Sequence, residues 1–244
     1  MDDHLLAHDL AGRAGHRLLA LREQPDVLDV RAVGDRSSHE FLVAELAAAR
    51  ADDAVLSEEA ADDQSRLAAD RVWIVDPLDG TREYGEPGRT DWAVHVALWE
   101  RGELTAGAVA LPAQGQVLST AEVPAVPAAD AGRIRIAVSR TRAPLLVTKL
   151  AELVDGELMQ IGSAGAKVAA VMLGQVDAYV HAGGQYEWDS AAPVVVARAA
   201  GLHASRIDGA PLRYNQPDPL LPDLVVCRPE LADTLLDGLA RVDR

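Results

Sequence analysis

The chain has 244 residues and carries 38 acidic against 23 basic side chains, a formal net charge of −15; such a surface repels long nucleic acid and anionic lipid. A single cysteine, Cys227, rules out an intramolecular disulfide and fits a reducing compartment. No apolar run approaches the ~20 residues that span a bilayer, and residues 2–9 hold three aspartates and two histidines rather than a signal core, so a cytoplasmic protein without membrane contact is expected.

Leu5, Leu6, Leu10, Ala14, Leu18, Leu19 and Leu21 recur at helical spacing and predict a helix over 5–22, with Pro25 just past its end. Ser37-Ser38-His39-Glu40 reads as a capping box, so a second helix is predicted to start near Ser37, with Phe41, Leu42, Val43, Leu46 and Ala49 on its apolar face. Strands are expected over 54–57 and 72–75. Alternation from Trp92 to Trp99 predicts a third strand, and turns at 100–103 and Gln114-Gly115 separate it from strands 104–111 and 117–120, an antiparallel meander. Residues 123–132, rich in proline, alanine and glycine, mark a junction between an N-terminal α+β subdomain (1–125) and a C-terminal α/β subdomain (133–244). In the second, strands 134–138, 159–161 and 176–180 alternate with helices 143–154, 163–173 and 190–200. Cys227, after Leu224-Val225-Val226, reads as a small buried hydrophobe.

The stretch from Trp73 to Thr81 (Trp-Ile-Val-Asp-Pro-Leu-Asp-Gly-Thr) is the most informative. A hydrophobic strand ends there and two carboxylates, Asp76 and Asp79, follow three residues apart. Pro77 keeps Asp76 out of the helical region, and Gly80 permits a sharp turn. Both carboxylates, with the Leu78 carbonyl between them, can converge on one hard cation. The Gly80 and Thr81 amides offer a small anion nest beside it. An ordinary Asx turn is the plainer alternative. It leaves unexplained a second acidic pair, Glu58-Glu59, after strand 54–57, and Asp189, which opens an alanine-rich helix. Alone, Asp189 would read as a helix cap.

The three segments together resemble the inositol monophosphatase-like superfamily of magnesium-dependent, lithium-sensitive phosphatases. Asp76-Pro77-Leu78-Asp79-Gly80-Thr81, Trp188-Asp189-Ser190-Ala191-Ala192 and Val55-Leu56-Ser57-Glu58-Glu59 match its motifs in order. Arg82-Glu83-Tyr84 after the threonine looks like the branch that dephosphorylates 3′-phosphoadenosine 5′-phosphate, a nucleotide of sulfate assimilation. Val138-Ser139-Arg140 and Gly162-Ser163-Ala164-Gly165-Ala166-Lys167 also resemble that branch. One stretch departs: the branch carries Asp-x-Ser-Pro-Val-Thr-x-Ala-Asp before its second helix, whereas Asp29 to Asp35 retains only the final aspartate, Asp35.

The resemblance implies a layered α-β-α-β-α fold, frequently a homodimer, with two or three Mg²⁺ ions and attack by activated water. It places Glu58, Asp76 and the Leu78 carbonyl on one ion and Asp76, Asp79 and Asp189 on another. Thr81 would orient the water, with Asp35 or Glu59 as its acidic partner. The Gly80 and Thr81 amides, with Asp79 and Asp189 alongside, would hold the scissile phosphate. Ser139, Arg140, Ser163 and Lys167 would hold the nucleotide and its second phosphate, although for Arg140, beside Arg142, and for Lys167 a solvated surface role competes. Tyr84 and Trp188 read as core aromatics. His95 reads as a structural histidine, because hard-ion sites seldom use imidazole. Inositol phosphate or fructose 1,6-bisphosphate hydrolysis is the alternative activity, and a catalytically silent metal-binding protein the alternative class.

Overall fold

The computed structural model describes residues 1–24, 28–129, 132–141 and 143–242, in five alternating layers of helix and sheet. Pro25, Arg142 and residues 130–131 of the expected junction lie outside the described residues. Helices α1 (Asp3–Arg22) and α2 (Val30–Ala49) cover one face of the first sheet, formed by β1 (Ala54–Ser57), β2 (Arg71–Asp79), β3 (Ala93–Glu100), β4 (Glu103–Leu111) and β5 (Gln116–Ser119) in that order. In this sheet β1 and β2 pair in parallel, and β2 to β5 form the expected antiparallel meander. The second sheet has the order β7-β6-β8-β10-β9, from β6 (Arg135–Ser139), β7 (Glu157–Ile161), β8 (Ala178–Tyr186), β9 (His203–Ser205) and β10 (Leu220–Cys227). Between the sheets lie α5 (Ala164–Met172) and α6 (Glu187–Ala199), and α4 (Leu145–Leu153) and α7 (Ala232–Val242) cover the far face.

The core divides accordingly into an outer cluster under α1 and α2, a central one around α5 and α6, and a third under α4 and α7. In α5 all nine residues, and in α6 nine residues including Ala191 to Ala197, are buried, because each packs against sheet on two sides. Cys227 is buried, and loss of solvation pushes its thiol up to about 12. Among the described residues no helix is long and apolar enough to cross a membrane.

Three expectations need correction. Helix α2 starts at Val30, not near Ser37: Asp29 caps it, accepting from Ala32 N–H at 3.2 Å. Ser38 is mid-helix and buried, and its hydroxyl donates to the Pro77 carbonyl at 2.7 Å. The serine pair reads as a cap only because that partner strand is invisible in local sequence. Strand β2 does not stop at Val75 but runs through Asp79, with a register shift: Asp76 faces His95 and Asp79 faces Ala93. Residues three apart on a regular strand point to opposite faces; the bulge, holding Pro77 with no N–H to pair, turns Asp76 and Asp79 to the same side. Helix α6 begins at Glu187 rather than residue 190, since β8 runs on past Val180 through the left-handed Gly183 and Gly184 directly to the helix.

Candidate active site

Carboxylates of Asp76, Asp79 and Asp189 converge so that one oxygen of each lies within 4.8 Å of the others. Asp76 and Asp79 come from the bulged end of β2. Asp189 comes from the first turn of α6, where its carboxylate accepts from Tyr186 N–H at 2.6 Å, so it caps the helix from inside and still faces the cluster. Glu58, just beyond β1 on the parallel neighbour strand, is exposed and stands outside that group of three, yet near enough for its charge to act on Asp76.

Burial makes this crowd of acids costly. Desolvation, then the charges of Glu58 and Asp79, holds Asp76 well above its ordinary range. Desolvation, then Asp35 and Asp189, pushes Glu58 up to about 7. Asp189 rises to about 6 through desolvation and the nearby Asp79. Asp79 goes the other way: burial opposes its charge, but His95, the Gly165 amide and Lys167 together keep it below its ordinary value. Its two oxygens accept from Ala164 N–H at 3.1 Å and Gly165 N–H at 2.6 Å at the start of α5. An all-oxygen, anionic, mutually repelling donor set fits a hard divalent cation, which would replace the shared protons. The acidic cluster can therefore hold metal.

Thr81 opens the short helix α3 (Thr81–Gly85) behind the left-handed Gly80, and its hydroxyl donates to the Leu78 carbonyl at 3.1 Å. Across from it lies Asp35, on α2, whose Oδ1 is buried without a hydrogen-bond partner; desolvation and the charge of Glu59 raise Asp35 to about 7. Helix α2 comes this close because it presents Gly34, where a Cβ would lie 2.7 Å from the Tyr84 ring. Glu59 itself is exposed.

A cavity of about 710 Å³ opens beside the cluster, lined among others by Asp79, Ser139, Ser163, Lys167, His181 and Asp189. Lys167 is buried rather than a surface lysine. Its ammonium donates to the Ser163 carbonyl at 2.9 Å and to that of Gly162, and it lies 5.3 Å from the Tyr179 ring. Ser163 caps α5, and the Ser139 hydroxyl is 3.3 Å from that of Thr141. Arg140 turns instead to Glu83 at 2.9 Å and Glu86 at 2.8 Å. Tyr84 is buried, whereas Trp188, expected in the core, is half-buried and stacks on Tyr186 at 4.7 Å. Sequence reasoning passed over His181 and Gln185, which line the cavity from β8; the helix–strand alternation ended that strand too early. It also gave His95 no place beside the cluster, because one histidine in an alternating strand carries no mark of what it faces.

A model of the inositol monophosphatase family matches residues 19–241. A 3′-phosphoadenosine 5′-phosphate phosphatase of Mycobacterium bovis is 54% identical over 240 residues, covering 93% of this chain and 89% of that protein. The 3′(2′),5′-bisphosphate nucleotidase CysQ of Escherichia coli K12 is 31% identical, covering 84% of this chain and 91% of its own length. Among solved structures, CysQ from Bacteroides thetaiotaomicron, described as a bacterial member of the inositol monophosphatase family, superposes with a TM-score of 0.79 at 28% identity, covering 93% of this chain and 97% of its own. The chain belongs to the inositol monophosphatase family.

Proposed function

We propose that this member of the inositol monophosphatase family is a phosphatase that removes the 3′-phosphate of 3′-phosphoadenosine 5′-phosphate, releasing AMP and inorganic phosphate. The observation that carries the reading is the acidic cluster opening directly into the cavity that holds the buried cation Lys167. A site for a doubly phosphorylated substrate needs metal at one end and a fixed positive charge at the other. The names of the mycobacterial and enteric relatives support the same substrate.

Glu58, Asp76, Asp79, Asp189 and the Leu78 carbonyl are assigned to two or three Mg²⁺ ions. Bound Mg²⁺ supplies charge screening for the phosphate and acidifies water near it. The chain's own groups do the rest. Thr81 Oγ1 orients the attacking water and, with its hydroxyl turned from the Leu78 carbonyl to Asp35, takes the water's proton as it passes its own to the Asp35 carboxylate. In the metal-free protein desolvation, then the charge of Glu59, raises Asp35 to about 7, which favours proton uptake there. The Gly80 and Thr81 amides hold the scissile phosphate, and Ser139, Ser163 and Lys167 hold the nucleoside and its second phosphate. Arg140 acts there by swinging from Glu83 and Glu86. We take residues 1–125 and 133–244 as two subdomains, and the enzyme as cytoplasmic and, following its family, homodimeric.

Phosphate release with Mg²⁺ from 3′-phosphoadenosine 5′-phosphate, inositol 1-phosphate and fructose 1,6-bisphosphate, measured side by side with and without lithium, tests this. The expected result is a kcat/KM for the nucleotide at least a hundredfold above either rival, lost with lithium. A preference for either rival leaves the metal cluster standing and refutes the nucleotide assignment of Ser139, Arg140, Ser163 and Lys167.

A further inference from the structure

Arg66 is 1% exposed, an unusual place for a guanidinium in a short turn of the chain (Gln64–Ala68). Four of its N–H groups are taken. Nε and Nη2 donate to Asp62 at 2.6 and 2.9 Å, Nη1 to Asn215 Oδ1 at 2.6 Å, and Nη2 to the Gln216 carbonyl at 2.9 Å. Asn215 stands in the left-handed region (φ +58), a conformation asparagine tolerates better than most residues. Its amide and that of Gln216 donate to the buried carboxylate of Glu187 at 2.6 and 2.8 Å. Glu187 is the first residue of α6, two before Asp189. Tyr214 in the same loop reaches Ser190, just after Asp189, at 3.1 Å through its hydroxyl.

These bonds form one bridge. One end is the segment that follows Glu58, where Asp62 and Arg66 sit. The other is the helical turn that aims Asp189. Glu58 stands four residues before Asp62 and Asp189 two after Glu187, so each end carries one acid of the candidate metal site. Neither Arg66 nor Asn215 belongs to that cluster.

We infer that Arg66, acting through Asn215 and Glu187, is a positioning residue that fixes the span between the Glu58 segment and Asp189 and thereby sets the cation affinity of the cleft. This rests on Glu58 and Asp189 being metal ligands. Carboxylates that repel one another drift apart unless held, and holding them before the cation arrives removes that cost from binding. A lysine at position 66 keeps the charge but gathers its donors on one nitrogen, so it cannot reproduce the four bonds that Nε, Nη1 and Nη2 make.

The test uses Mn²⁺ binding, counted by electron paramagnetic resonance, in wild type, Arg66→Lys and Asn215→Gly, together with melting curves and kcat at low and saturating Mg²⁺. Glycine at 215 accepts the backbone conformation and keeps the amide to Glu187, so it removes only the side-chain link. The expected result is a roughly tenfold weaker Mn²⁺ affinity in both variants, with kcat restored by saturating Mg²⁺ and the substrate KM then unchanged. In wild type, the reciprocal effect is slower hydrogen exchange at the Asn215 and Gln216 amides once Mn²⁺ or Mg²⁺ binds. Mn²⁺ affinity within twofold of wild type in a folded variant, or no change in exchange at those amides, overturns the inference and leaves the phosphatase reading intact. A wild type that takes up no Mn²⁺ removes the metal assignment itself, and this inference with it.

Discussion

His95 Nε2 lies 3.2 Å from Asp79 Oδ2. The other ring nitrogen, Nδ1, is 3.0 Å from the Trp188 carbonyl, which only accepts, so Nδ1 carries a proton. The ring thus ties the end of β2 to the residue before Asp189. Burial alone would lower the pKa of His95, but the charge of Asp79 close by, with the Trp188 carbonyl, outweighs it and holds the pKa above its ordinary value. Breaking a buried pair from one side leaves a charge without a partner, at about 3 kcal/mol or more. His95→Ala is therefore expected to lose about 3 kcal/mol in denaturant titration of the metal-free protein. A loss below about 1 kcal/mol would mean that the pairing contributes little. Gly165 reads out the same contact from the other side, since a Cβ there would sit 2.0 Å from His95 Nε2. Gly165→Ala should damage wild type far more than it damages the His95→Ala background.

Raised carboxyl groups make the metal-free protein least stable at high pH. Asp35 and Glu58 titrate near 7 and Asp189 near 6 in the native state, against about 4 when unfolded. Between those values the native state holds protons that the unfolded chain has released, so the stability these three groups contribute is full below about pH 4 and is lost as pH rises to about 7. Cation binding displaces those protons. The melting temperature without divalent metal should drop between pH 5 and 8, and the rise produced by Mg²⁺ should be larger at pH 8. Equal Mg²⁺ shifts at both values would remove the acids as competitors of the metal.

Most of the site was legible because its residues lie at element ends that punctuation marks. Gly80 flags the turn after β2, and Trp188-Asp189 flags the first turn of α6. The layers followed from the resemblance, not from periodicity, for periodicity reports one face at a time and α5 and α6 are buried all round. What stayed hidden was long-range. The partner of Ser38 is 39 residues away, that of Arg66 is 149 away, and nothing local distinguishes a buried arginine from a solvated one. The bulge at Pro77 was also out of reach: it exists only relative to β3, yet it brings Asp76 and Asp79 to one side.

Lys167 offers a positive charge to whatever enters the cavity and also helps to keep Asp79 charged, so its replacement is compared on two substrates at saturating Mg²⁺. Lys167→Gln keeps a donor for the Ser163 carbonyl while deleting the charge. A charge-assisted hydrogen bond is worth about 1.5–3 kcal/mol, so KM for 3′-phosphoadenosine 5′-phosphate should rise about tenfold to a hundredfold. Turnover of inositol 1-phosphate, which has no second phosphate, should stay within about twofold. Steady-state kinetics on both substrates checks this. An equal loss on both would place Lys167 at the scissile phosphate instead.

Gly80 and Gly115 both stand at positive φ, +84 and +66, yet replacing them should have different consequences. At Gly115 an added Cβ meets nothing within 4 Å. Gly115→Ala pays only the left-handed backbone term, about 1 kcal/mol of stability, with kcat unchanged. At Gly80 the Cβ would sit 2.8 Å from Ser163 Cβ and 3.4 Å from the Trp92 backbone. The loop after β2 must then move away from the start of α5. That movement carries Thr81 off the Leu78 carbonyl and loosens the Asp79 contacts with Ala164 and Gly165. A displacement of about 1 Å in a positioned group costs about a hundredfold in rate, so Gly80→Ala should lose at least that in kcat, beyond a stability loss no smaller than that of Gly115→Ala. Parallel melting curves and kcat for the two variants separate backbone strain from site geometry, and a Gly80→Ala enzyme with wild-type kcat would show that the close approach of the two loops is not needed for turnover.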